Sequence, residues 1–325
     1  MFLNFKATFG KDMIKKTVKN ISNLSANIYS IDRLIEKTNH RLIFPFYHAV
    51  ADVSPTHIKH LYQPRSIENF KNDLDFLLAN YESISLQGLI ELNNSVKTST
   101  KKYFHLTFDD GLKEFYTVVA PILKEKGVHA TVFLNSDFID NKALFFRFKA
   151  SILFEELKDE SLLKLSYSET ELMDKLANEN NIDFEAYVAN EQPYLTSEQI
   201  TELIGEGITF GAHSKNHPLY KELNFDAQLL QTKESIELVK NQFNLDYSVF
   251  SFPFTDDGVT IKLFNEIAEF TDLTFGCAGI KEDSAKNHLQ RIPMETEKSG
   301  KEIIKTEYTY CLMKQKTGKN KIERK

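Results

Sequence analysis

Short apolar runs alternate with stretches of helical period along most of this chain, and that rhythm constrains the fold more than any other feature. Residues 42–50, 103–108, 128–134, 208–213, 248–252 and 273–277 read as strands, the first so uniformly apolar that both its faces must be covered. Between them, 66–80, 112–126, 197–206, 225–243 and 257–269 read as helices. Ile67, Phe70, Leu74 and Leu77 recur at helical spacing in one, and Gly127 stands where a left-handed C-cap ends another. Strands that alternate with helices predict parallel βαβ units, in a barrel-like or open α/β sheet.

One segment interrupts the rhythm. Residues 141–193 occupy the place of a single connection, yet they are rich in Leu, Glu, Lys and Phe at helical spacing and predict a helical insertion, a lid or a wall of a groove. The expected organisation is a helical extension over 1–40, one catalytic domain over 41–300 containing that insertion, and a basic tail over 301–325. With 325 residues, 42% apolar and 26% charged, the chain is neither disordered nor a disulfide-stapled miniprotein. Its net charge of −6 excludes a wholly basic nucleic-acid binder.

Lysines crowd the first twenty residues, and six cations lie between Lys314 and Lys325. They read as solvated ends, with a weak hold on anionic membrane surfaces as the sharper alternative. Two cysteines, Cys277 and Cys311, suit a reducing compartment. No transmembrane or signal-peptide run is seen, so the expected location is cytoplasmic.

Chemistry concentrates at two strand ends. Thr107-Phe108-Asp109-Asp110-Gly111 puts two adjacent carboxylates where like charges repel, with a glycine to turn the chain sharply. His213-Ser214-Lys215-Asn216-His217 places two imidazoles four residues apart after another strand, a spacing that suits a divalent ion. Together they predict a two-histidine, one-carboxylate site with open positions. Spacing alone does not say which aspartate would bind metal.

These two strings resemble, in order, the first two motifs of the polysaccharide deacetylase family, the NodB-homology domain or carbohydrate esterase family 4. The similarity continues through Val119–Leu123 and Ala130–Phe133, and spans roughly 42–295. It implies a distorted (β/α) barrel and a hydrolase acting on non-peptide amide bonds, which removes acetyl groups from N-acetylated sugars of a polysaccharide or glycan precursor through a metal-bound water. It also implies Asp110, His213 and His217 as metal ligands and Asp109 as the base. The metal would be zinc, with cobalt, nickel or manganese as alternatives.

Two departures matter. The third motif, normally Arg-x-x-Pro-Tyr, reads Phe250-Ser251-Phe252-Pro253-Phe254. Phe254 can still supply a backbone N–H to an oxyanion, and Arg291 becomes the substitute for the missing arginine. The C-terminal Leu-x-His that supplies the general acid is also absent. His48, after the first strand, takes that role if the chain resembles the permuted branch that deacetylates poly-N-acetylglucosamine. The competing readings are a glycan-binding barrel without turnover and an enzyme acting on a small amide or cyclic ureide.

Overall fold

The computed structural model describes residues 29–95 and 100–325. Most of the expected extension and its lysine cluster therefore lies outside the described residues. Eight parallel strands form the central sheet: β1 (Pro45–Tyr47), β2 (Leu106–Phe108), β3 (Ala130–Leu134), β4 (Thr209–Ala212), β5 (Val249–Ser251), β6 (Leu273–Gly276), β7 (His288–Gln290) and β8 (Ile292–Pro293). Their order is β7-β6-β5-β4-β3-β2-β1-β8.

The two outer strands are consecutive in the chain. His288–Gln290 pairs with β6, and Ile292–Pro293 pairs with β1 two residues later. One short segment thus closes the sheet into a distorted (β/α) barrel, and Arg291 sits on the seam. Every residue of β1, β2, β3, β5 and β6 is buried, which is why these strands read as apolar runs rather than as alternating ones.

Helices α1 (Ile31–Thr38), α2 (Thr56–Lys59), α3 (Ile67–Asn80), α4 (Leu86–Asn94) and α5 (Ala120–Lys126) precede the insertion. The insertion itself is helical, with α6 (Phe146–Leu157), α7 (Thr170–Glu179) and α8 (Phe184–Glu191). It is followed by α9 (Ser197–Gly205), α10 (Phe225–Gln242), α11 (Ile261–Ile267) and α12 (Gly300–Gln315). Start signals in the sequence act as expected: Ser66 caps α3, and Thr196 with Gln199 forms a capping box on α9, such caps stabilising by about 1 kcal/mol each. Gly127 adopts the left-handed conformation that ends α5.

Two boundaries differ from the sequence reading. Phe115–Val119 form a wider π turn, so the regular helix that follows is only α5. The run at 103–108 is divided at His105. Tyr103–Phe104 pairs in a small side sheet, while His105 bonds the Ile84 carbonyl and the Thr131 hydroxyl.

The insertion builds its own core. Phe145, Phe146, Phe148, Leu153, Met173 and Val188 cluster with Ala49, Leu112 and Phe138, which lie just beyond the C-terminal ends of β1, β2 and β3. The insertion therefore covers the barrel mouth, where the motif loops gather. His57 is fully buried here, against Phe148 and hydrogen-bonded to the Tyr187 hydroxyl.

Residues 301–325, set apart above as a basic tail, contain most of α12, whose Ile303, Ile304, Tyr308 and Cys311 join the barrel core. Lys321–Ile322 then pairs beside Glu282–Asp283. Apolar periodicity in 303–311 outweighs the flanking lysines, because burying that face is worth more than solvating it.

Candidate active site

Strand ends determine where the motifs go. Asp109 and Asp110 leave β2 as its neighbour β1 ends, and the Asp109 amide donates to the Tyr47 carbonyl. Asp110 and Gly111 both have positive φ, and a Cβ on Gly111 would lie 2.6 Å from a Leu134 methyl carbon, so only glycine fits that turn. His213 follows β4, and the Ser214 hydroxyl accepts from the His217 amide, which curls the loop back. Ser214 and His217 are left-handed too, as is Phe254 beyond β5. Such residues cost about 1–2 kcal/mol each, and their concentration here marks a site held against its backbone preferences.

Asp110, His213 and His217 converge. Asp110 Oδ1 lies 3.3 Å from His217 Nε2 and 3.7 Å from His213 Nε2. All three side chains are buried. Asp110 Oδ1 and His213 Nε2 have no hydrogen-bond partner. Buried polar atoms are rarely left so, and two that face each other with a third ligand alongside fit a bound divalent ion. The other nitrogen of His213 is fixed, Nδ1 lying 2.8 Å from the Ser251 carbonyl. His217 departs from that pattern, because its Nδ1 is also without a partner. Burial keeps His213 low, at about 4, despite the opposing pull of Asp109; the neutral ring is the form that ligates.

Asp109 lies alongside, its Oδ2 3.9 Å from His213 Nε2, and its carboxylate is held in a fork. Arg291 Nη1 and Nη2 donate to its two oxygens at 2.7 and 2.8 Å. The guanidinium is itself fixed by the Gly276 carbonyl and the Thr107 hydroxyl, and it lies over the Phe46 ring. Burial would raise the Asp109 pKa, but Arg291 and then His213 outweigh it and hold the carboxylate below its usual range. Phe250, where the third motif would place an arginine, packs instead against Tyr220 and Phe252 in the core.

His48 lies beside Asp109 across the β1–β2 pair. Its Nδ1 is 2.5 Å from Glu295 Oε2, while Oε1 of the same carboxylate accepts the amides of His48 and Ala49. Burial opposes charge on the ring, but Glu295, helped by Asp110 and Asp109, overrides it and raises the pKa to about 10. Glu295 escaped the sequence reading; its only signal was a carboxylate just beyond the last strand. Arg65 steadies that turn by donating to the Thr296 and Lys298 carbonyls while forking Asp73. Tyr62, also unforeseen, lies tilted against the His48 ring, 5.2 Å between centroids, with its buried hydroxyl unpartnered.

The insertion walls this site. The Phe145 ring is 4.4 Å from that of His217, Phe254 is 4.5 Å from it on another side, and the Tyr167 hydroxyl donates to Asn216 between the two motif histidines. Phe254 is 45% exposed and borders a pocket of about 360 Å³ with Phe146, Tyr167 and Leu219. An exposed ring in that position can stack on a sugar.

The family model for polysaccharide deacetylases matches residues 96–270, more than half of the chain. A search of curated proteins gives no match. Among solved structures, the deacetylase PplD of Streptococcus pyogenes, determined with acetate, is 19% identical, with TM-score 0.56 over 82% of this chain and 97% of that one. IcaB from Ammonifex degensii is 15% identical, with TM-score 0.57 over 83% and 97%. A de-N-acetylase from Aggregatibacter actinomycetemcomitans is 18% identical, with TM-score 0.53 over 79% and 96%. At these identities the structural likeness speaks for the fold.

Proposed function

The chain belongs to the polysaccharide deacetylase family, and from that premise we propose that it hydrolyses the acetamido group of N-acetylated sugars, in a polysaccharide or glycan precursor, as a metal-dependent deacetylase. Asp110, His213 and His217 would hold the ion. Zinc is the first choice, since two imidazoles and one carboxylate suit it. A divalent ion bound there makes water acidic near neutral pH and polarises the acetyl carbonyl.

The chain's own residues supply the rest. Asp109, kept ionised by the Arg291 fork, takes the proton of the attacking water. The Phe254 N–H receives the developing oxyanion. His48, protonated through Glu295, gives its proton to the departing nitrogen, because an amide anion is too basic to leave unaided. Acetate and a free amino sugar result. The histidine before the Asp-Asp motif supports the permuted arrangement.

The observation that carries this reading is the pair of unpartnered buried atoms on Asp110 and His213, next to an aspartate that is ionised but not committed to them. A barrel that merely bound glycan would need neither. Purified protein should contain one divalent ion and release acetate from N-acetylglucosamine oligomers or precursors. Asp109→Asn should keep the ion and lose the acetate; release by neither protein would leave only the binding reading, and equal release by both would remove Asp109 from the mechanism.

A further inference from the structure

A second cluster of acid and imidazole draws Asp256 from beyond β5, Asp283 from the connection between β6 and β7, and His288 from the start of β7. Asp256, Asp283 and His288 approach one another closely enough to hold a cation, and all three side chains are almost fully buried. A cation is already there. The Arg324 guanidinium lies between the two carboxylates: Nη2 bonds both acids, Nε bonds Asp283 at 3.0 Å, and Nη1 donates to the Asp256 carbonyl at 2.6 Å. Its side chain is 5% exposed and lies over the Phe264 ring.

Asp256 is two residues beyond Phe254. Its carboxylate also accepts from Gln290 and from the Cys277 amide, and His288 Nε2 lies 3.1 Å away. The Cys277 thiol in turn donates to the Phe254 carbonyl. Asp256 also presses on Gly276: a Cβ there would lie 2.5 Å from the Asp256 carboxyl carbon. The carbonyl of Gly276 is the one that orients Arg291. Phe254 has φ of 56°, a conformation that a bulky residue keeps only when its surroundings hold it. The anchored Asp256 is that restraint, and Arg324 is what neutralises it.

We propose that Arg324 is a positioning residue for the Phe254 N–H, acting through Asp256, and that its guanidinium fills the place a second metal ion would otherwise take. The assignment rests on the deacetylase reading for the role of Phe254, but its structural half does not. Arg324→Ala leaves two buried carboxylates uncompensated and risks unfolding, so Arg324→Lys, which keeps the charge and loses the fork, is made beside it.

In the full-length protein, kcat should fall about 10-fold for the lysine variant and about 100-fold for the alanine variant, with KM within twofold, approaching the loss expected for an oxyanion donor. Amide hydrogen exchange at 254–257 should quicken about tenfold in both while exchange in α6 stays unchanged. Metal content should remain one equivalent per chain in Arg324→Lys. If kcat per folded, metal-loaded molecule and exchange at 254–257 both match the wild type, Arg324 is only a structural clamp and the proposal is wrong. A second equivalent of zinc bound by Arg324→Ala would support the plug. If the wild-type protein releases no acetate from any substrate, the deacetylase reading fails, and the exchange data alone decide whether Arg324 holds the loop.

Discussion

The barrel mouth carries two clusters of almost the same composition. One has Asp109, Asp110, His213 and His217; the other has Asp256, Asp283 and His288. Both are buried, and in both burial penalises the carboxylate charge while neighbouring cations overcome it, so that Asp110 and Asp256 are each held well below the ordinary range. They differ in where the lone pairs go. In the second cluster Arg324, Gln290 and the Cys277 amide satisfy Asp256, and Thr274 lies 2.8 Å from the other face of His288. None of its atoms is among the buried groups left unpartnered, whereas Asp110, His213 and His217 each contribute one. Proximity of acid and imidazole therefore does not identify a metal site. Unspent bonding capacity beside that proximity is what makes the first cluster the candidate.

The comparison breaks first, and with the largest effect, on metal. His217→Ala should lower bound zinc to background and take acetate release with it, whereas His288→Ala should retain one equivalent per chain. Elemental analysis of both proteins after exposure to zinc decides this. Retention by His217→Ala and loss by His288→Ala would exchange the roles of the clusters.

Next in size is the pair of guanidiniums. Arg291 forks an aspartate proposed to react, while Arg324 forks Asp283 and ties it to Asp256, which is proposed only to brace. Asp109→Asn should cost about 10²–10⁴-fold in kcat with metal intact, the range for a general base. Asp283→Asn removes a carboxylate remote from the proposed chemistry and should cost less than tenfold, read with the same substrate and metal loading.

A smaller and more diagnostic effect concerns pH. His48 must be protonated to act as an acid, and its pKa is raised from 6.5 to about 10. Activity should thus persist through neutrality and fall as pH rises through the folded value. By linkage, the stability this ring contributes is complete below about 6.5 and is lost as pH rises towards 10. Glu295→Gln removes the leading cause of the elevation, so the alkaline limb of kcat should move to lower pH, while His48→Gln should abolish that limb and lower kcat about 10²–10⁴-fold. An alkaline limb that does not move in Glu295→Gln would assign it to another group.

Much of this was legible in the sequence because strand-end motifs are local. Asp109, Asp110, His213 and His217 sit in short strings whose strand context is readable from flanking apolar runs, and the barrel follows from the alternation that surrounds them. Arg291 was legible only as a substitute for something missing. Glu295 and Arg324 were not legible, since each acts on a partner far away in sequence, 247 residues from His48 in one case and 68 from Asp256 in the other. Nothing local distinguishes such a carboxylate or guanidinium from a solvated one. The C-terminal cations illustrate this: composition suggested a solvated tail, but the pairing of Lys321–Ile322 beside Glu282–Asp283 carries Arg324 inside.

The smallest expected effect separates the two clusters by what covers them. The tail covers the second, and the insertion covers the first, through Phe145 on His217 and the Tyr167 hydroxyl on Asn216. That hydroxyl bond is neutral and half-buried, worth about 1 kcal/mol, so Tyr167→Phe should leave Tm and metal content nearly unchanged. What it loosens is the wall between the motif loop and the pocket bordered by Phe254. If sugar units beyond the reacting one rest on that wall, KM for N-acetylglucosamine oligomers should rise a few-fold with kcat constant, about what 1 kcal/mol allows. The KM of a single N-acetylated sugar, too short to reach the wall, should not change. An equal rise for both substrates would place the reacting sugar itself against Tyr167, and no rise for either would make the insertion a cover for the barrel rather than part of its groove.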